Sequence, residues 1–201
     1  MIVFKGTDRD MFCTKGHGSF KYELGKTYTE EASKVAHTGL HASEYVMEAV
    51  YWYPPEDGGR IFICEAGGSI DEDESDKVSC TELTLIRELN REEIVFEALM
   101  YMIQHPLRKF DARGKNYQVA RNRAECGRDG IAIARGIRPK ARGGKGAILG
   151  FMDEVSGKVR MRMVGGDGPK PETWYTMKDG EVIEDETGRD PGGKAAEAPE
   201  G

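Results

Sequence analysis

The stretch GIAIARGIRPKARGGKGAILG, Gly130 to Gly150, decides how the chain reads. It holds too many glycines for a helix and is too regular for a loop. Ile131 and Ile133, and again Ala147 and Leu149, are separated by one residue, which is the period of a strand. Ala132, Ala134 and Ala141 are small enough for a tightly wound interior. Gly136, Gly143 and Gly144 permit corners where a positive φ is needed. A short strand, a glycine corner and the strand again predict a coil of a β-roll or β-helix, with Gly130 to Ala134 aligned on Gly146 to Gly150. YQVARNRAECGRDG, just before, reads as an earlier coil with Val119, Ala124 and Cys126 inward.

Working outward, residues 1–89 read as mixed and mostly β. MIVFKG is a short apolar strand, SFKYELGKTYT a half-buried hairpin arm, GRIFICEAGGSI and KVSCTELTLIREL two further strands, and DEDESD at 71–76 an acidic loop. Two helices are expected. Ser43 can cap a segment from Glu44 to Trp52, stopped by Pro54 and Pro55. Asn90, with Glu93 three residues on, has capping-box spacing. Ile94, Val95, Ala98, Leu99 and Met102 then share a face up to Pro106. Ser156-Gly157 and Asp179-Gly180 each predict a hairpin turn. The expected class is therefore α+β and mostly β. Residues 1–106 form a mixed N-terminal domain with two helices, residues 107–184 a short β-roll or β-helix with C-terminal hairpins, and residues 185–201 a disordered tail.

Composition sets the outer limits. The 26 glycines in 201 residues are nearly twice the usual ~7%, which favours turns and β-structure over helix bundles. No apolar run approaches the ~18 residues of a membrane span. MIVFKGTDRD has no apolar segment after a basic one, so no secretory signal is expected and the protein is placed in the cytoplasm. Cys13, Cys64, Cys80 and Cys126 form no CxxC pair and read as reduced thiols. Net charge is −6 but uneven: residues 108–145 carry twelve Lys or Arg against three Asp or Glu, leaving −15 on the rest. Such asymmetry predicts an anionic partner for the basic segment, or an acidic surface of the same protein or of a second copy.

Two resemblances add to this reading. GIAIA and GAILG resemble the head repeat of trimeric autotransporter adhesins over about 20 residues, although Arg135 to Arg142 is more basic than that repeat. The resemblance implies a left-handed roll packed as a trimer. Open roll edges also call for cover, either from the N-terminal domain and the hairpins at 151–183 or from other subunits, and a homo-oligomer is expected. Across most of the chain, GLHAS at Gly39 to Ser43 and TWYTMKDG at Thr173 to Gly180 look like an uncharacterised family of phage and prophage proteins. Members of that family carry a Gly-Phe-His-Ala-Cys block, Gly/Ala-rich repeats and a TWYT…DG hairpin. It implies a viral source, hence a host-cell cytoplasm or a virion, and no particular chemistry.

Three sets of residues could carry a site. Arg121, Arg123, Arg128, Arg135, Arg138, Lys140, Arg142 and Lys145 would stand outward from a roll as a ladder for a host protein or other anionic macromolecule, nucleic acid included. Cys13 with His17, and His37 with His41, have a spacing that can ligate zinc, but they lie in glycine-broken loops and no metal is expected. The order of Phe4-Lys5-Gly6, TGLHAS and RIFICEA looks like ADP-ribosyltransferases. By that resemblance Lys5 or His41 would grip NAD, Ser43 would support it, and Glu82 or Glu88 would polarise the ribose; the family's usual Arg or His is Lys5 here and no Glu-x-Glu occurs at the expected strand. No nucleophile elbow, P-loop or dinucleotide fingerprint is present. The function expected is binding without a cofactor: an oligomeric, phage-type protein acting on a host macromolecule such as a defence component, or serving as a virion accessory. NAD-using transfer and nucleic-acid binding are the alternatives.

Overall fold

A computed structural model describes residues 1–15, 18–72 and 77–186. The strands are β1 (Ile2–Thr7), β2 (Phe12–Cys13), β3 (Phe20–Lys21), β4 (Thr27–Thr29), β5 (Leu40–Ser43), β6 (Arg60–Glu72), β7 (Lys77–Leu89), β8 (Ala112–Arg113), β9 (Tyr117–Cys126), β10 (Ile131–Gly143), β11 (Ile148–Asp153), β12 (Val159–Met163), β13 (Tyr175–Lys178) and β14 (Glu181–Glu184). Two α-helices join them, α1 (Val46–Trp52) after β5 and α2 (Arg91–Gln104) after β7.

The first sheet runs β4-β7-β5-β1-β6, and β6 pairs with β7 as well, so the ladder returns on itself. Inside this ring pack Val3, Leu40, Phe62, Cys64, Val78, Cys80, Leu83 and Leu85. The long β6 continues through Gly67 and Gly68 with a register shift before Ile70, the bulge that lets one strand turn a corner of the ring. Residues 73–76 of the acidic stretch lie outside the described residues, and Asp71 and Glu72 belong to β6.

Local signals explain the helices. Asn90 Oδ1 accepts from Glu93 N at 2.9 Å and Glu93 Oε2 accepts from Asn90 N at 2.8 Å, a closed capping box. The expected face, Ile94, Val95, Ala98, Leu99 and Met102, is buried. Ser43 does not cap α1; it pairs in β5 opposite Phe4 and Lys77, and the helix starts after Tyr45 with no side-chain cap. Tertiary packing holds this short helix instead. Gly6 lets it lie directly on β1, since any Cβ there would sit 2.6 Å from Tyr53 Cδ2 and 2.9 Å from Ala49 O.

The fold class expected from the sequence needs correction. Strand makes up 49% of the chain and helix 13%, in several sheets, and the glycine-rich block is not a separate repeating roll or helix. It supplies β9, β10 and β11 to one seven-stranded sheet that also takes in β8 and both hairpins. Ile131 lies opposite Tyr117 on one side and Ile148 on the other, unequal steps of 14 and 17 residues, and the β9–β10 register shifts between Arg135 and Lys140. Gly136 sits within β10 rather than between strands. Strand β8 covers β9, β12 covers β11, and β13 pairs with β10 at Lys140 and Ala141. These pairings supply part of the expected cover from within the chain, as the capping alternative has it.

One apolar cluster joins Phe4, Val46, Ile61, Leu99, Ile131 and Ile148, so the helices tie both sheets into a shared core. Ala132, Ala134, Ala141, Leu149 and Phe151 fill a second cluster on the other side of the C-terminal sheet. Asp179 and Gly180 have φ of 54° and 87°, the pair of left-handed residues that a two-residue hairpin turn requires. Residues 187–201, most of the expected tail, lie outside the described residues. Among the described residues no helix is long and apolar enough to cross a membrane.

Candidate functional site

Strand β1 alternates, so Val3, Lys5 and Thr7 share a face, and the face is an inner one. Lys5 is therefore 6% exposed. Its ammonium donates to the carbonyl of His41 on the neighbouring β5 and lies 5.0 Å from the centre of the Tyr22 ring. No carboxylate among the described residues forms an ion pair with it. An ammonium buried without a counter-ion is costly, and Lys5 is the one buried lysine among the described residues.

Lys5 lines a cavity of about 640 Å³ between β1, β5, the loop after β2 and the end of α1. Lys15, Lys77, His37, His41, Ser43 and Cys13 also line it, with Trp52 and Tyr53 as the aromatic wall. Among the described residues that line it, none is an Asp or Glu. Tyr53 fixes the rim: its hydroxyl accepts from Thr14 N at 2.7 Å and Lys15 N at 3.0 Å and donates to Cys13 Sγ at 3.4 Å. Trp52 Nε1 donates to Glu48 Oε1 at 3.0 Å, and Lys77 Nζ lies 5.5 Å from the indole centre.

His41 Nε2 is buried and has no hydrogen-bond partner among the described residues. Burial, and after it the Lys5 ammonium, lowers the imidazole below its usual value. The unfolded chain binds the proton at about pH 6.5, the folded chain only at lower pH. Stability is then fully present above about 6.5 and falls as pH drops toward the folded value. Melting temperature is expected to decrease between pH 7.5 and 5.5, and His41→Gln to flatten that decrease; an unchanged slope in the variant would remove His41 as its source.

Residues from two separate sequence readings thus meet in one place. Lys5, His41 and Ser43, read as NAD-gripping, and Cys13 and His37, read as zinc ligands, line the same cavity. His17 lies outside the described residues, and no three His, Cys, Asp or Glu among the described residues come together as a metal site. Glu82 and Glu88 are elsewhere. Glu88 takes two hydrogen bonds from Arg60, at 2.9 and 2.6 Å, and the guanidinium holds its carboxyl below the usual range. Glu82 lies beside Gly67 and Gly68. The carboxylate that ribosyl transfer requires is therefore not supplied at the cavity by either residue. Sequence reading missed Lys15, Lys77, Trp52 and Tyr53. The available signal was Lys5 itself, a cation at an inward position of an apolar strand.

The basic segment is largely neutralised within the chain. Arg121 pairs with Glu154 at 2.8 Å, Arg128 with Asp129 at 3.4 Å, Lys140 with Asp185 at 2.5 Å and Arg142 with Glu125 at 2.7 Å. Arg135 does not stand outward; it is 8% exposed and pairs with Glu154 at 2.6 Å. Arg123 and Arg142 lie 3.9 and 4.9 Å from the centre of the Trp174 ring, an aromatic from far along the chain that sequence reading did not place there. Arg138 and Lys145 are exposed.

Residues 1–97 match a domain of unknown function, DUF7666. The match contains every residue lining the Lys5 cavity and stops within α2. No curated protein and no solved structure matches the chain.

Proposed function

We propose that the protein is a binding protein whose N-terminal cavity takes a small anionic ligand. The observation that carries this reading is Lys5, an ammonium 6% exposed, facing a cavity whose described lining holds no Asp or Glu, and lacking a carboxylate partner among the described residues. A bound phosphate or carboxylate would complete the charge pair that folding leaves open. The volume of about 640 Å³ falls inside the ~300–1,000 Å³ range of small-molecule sites. On this reading the anion is taken at the cavity rather than along the arginine face, a different place from the basic segment to which the charge asymmetry pointed.

Cys13 reports occupancy. It lines the cavity, whereas burial pushes the Cys64 and Cys126 thiols up to about 12 and raises Cys80 as well, which leaves those three poor nucleophiles. Inorganic pyrophosphate is expected to bind one saturable site by calorimetry, more weakly as salt rises, and to slow iodoacetamide labelling of Cys13 at least fivefold by mass spectrometry. Labelling at an unchanged rate under saturating pyrophosphate would place any binding elsewhere.

A further inference from the structure

We infer that the anion taken at this cavity is a phosphate ester bearing a planar ring, of the nucleotide class, an inference that rests on the anion-site reading above. Charge argues for phosphate over carboxylate. Lys5 and Lys15 both line the cavity, and neither has a carboxylate partner among the described residues. Two ammonium groups match a phosphate, which carries about −1.5 to −2 near neutral pH, better than a single carboxylate. Size argues against a bare phosphate, because about 640 Å³ accommodates a drug-sized molecule.

The ring is argued from Trp52. This indole is 40% exposed on the cavity wall, although burying it would be favourable. It is nevertheless held in place. Glu48 takes its N–H at 3.0 Å, the Tyr51 ring meets it edge-on at 5.2 Å, and Lys77 Nζ lies over it. A side chain already fixed loses little freedom when a flat ring stacks on it.

Calorimetry with the full chain tests this, using ADP, ribose 5-phosphate and inorganic pyrophosphate as titrants. ADP is expected to bind at least tenfold more tightly than either of the others. Trp52→Ala is expected to remove that advantage while leaving pyrophosphate affinity within twofold, and Trp52→Phe to restore most of it. If ADP and pyrophosphate bind equally, or Trp52→Ala weakens both alike, the ring is not read and the nucleotide inference falls while the anion site stands. If pyrophosphate and ADP both fail to bind, the anion-site reading falls and takes this inference with it.

Discussion

Arg135→Met is expected to cost about 3 kcal/mol of folding stability, the largest loss from any single charge on the basic segment. The guanidinium gives Nε to Glu154 Oε1 at 2.7 Å, Nη1 to the carbonyl of Arg108 at 2.9 Å and Nη2 to that of Pro106 at 3.1 Å. It also stacks on Phe110 at 4.9 Å. It therefore staples the turn that leaves α2 to the end of β11. Methionine fills much of the space but satisfies none of those acceptors, and Glu154 keeps only Arg121, whose side chain is 64% exposed. Breaking one partner of a buried pair typically costs 3–5 kcal/mol, and the remaining Arg121 contact places the estimate at the low end, about 3 kcal/mol. Arg138→Met, three residues on and exposed, is the control and should move stability by less than about 0.5 kcal/mol. Urea denaturation reads both, as a lower midpoint at an unchanged slope. Adding Glu154→Met to Arg135→Met should recover part of the loss, because the pair is then removed as a unit. A loss under 0.5 kcal/mol for Arg135→Met alone would show that the staple contributes nothing. One practical consequence concerns charge reversal of this segment: any set that includes Arg135 perturbs the fold, so lost binding in such a variant says nothing about an outward cationic face.

What could be read from the sequence was what is encoded within a few residues. The Asn90–Glu93 capping box, the apolar face of α2, the Asp179-Gly180 turn and the strand at 77–89 each depend on near neighbours, and each is present. What was not legible depends on partners far away in the chain. The glycine-rich block alternates as strands do, but its assignment to one mixed sheet is set by β8, β12 and β13, which lie outside the block. Its Arg135 and Lys140 looked outward because nothing local told of Glu154 or Asp185. The same holds for the cavity. Lys5, Cys13, His37 and His41 drew notice as isolated chemical types, while the loop, strand and helix end that make them one site meet only after the first sheet closes. Glu82 and Glu88 illustrate the converse, since a carboxylate on the right strand in sequence falls outside the cavity.

Lys5→Met should separate binding from folding in opposite directions. In the empty protein the Lys5 ammonium is 6% exposed, with a carbonyl and a ring face for company. Replacing a buried charge by an apolar side chain of similar length is often neutral or stabilising, so the ligand-free variant is expected to be unchanged or up to about 2 kcal/mol more stable. Binding should go the other way. Removing one member of a buried, hydrogen-bonded charge pair costs about 2–5 kcal/mol, so pyrophosphate affinity is expected to fall roughly 30-fold or more. Lys15→Met, at an exposed position on the same cavity, should cost far less. Thermal melts read both effects at once. At 100 times its dissociation constant a ligand adds about 2.7 kcal/mol to the wild-type fold, and that increment should vanish in Lys5→Met while the ligand-free melt stays level or rises. A buried lysine kept only for the fold would give the reverse pattern, a lower ligand-free melt with the pyrophosphate increment intact, and that pattern would remove the ground for an anion site. The two readings make opposite demands on one side chain because a charge without a counter-ion destabilises the empty state by the same desolvation that makes an arriving anion bind.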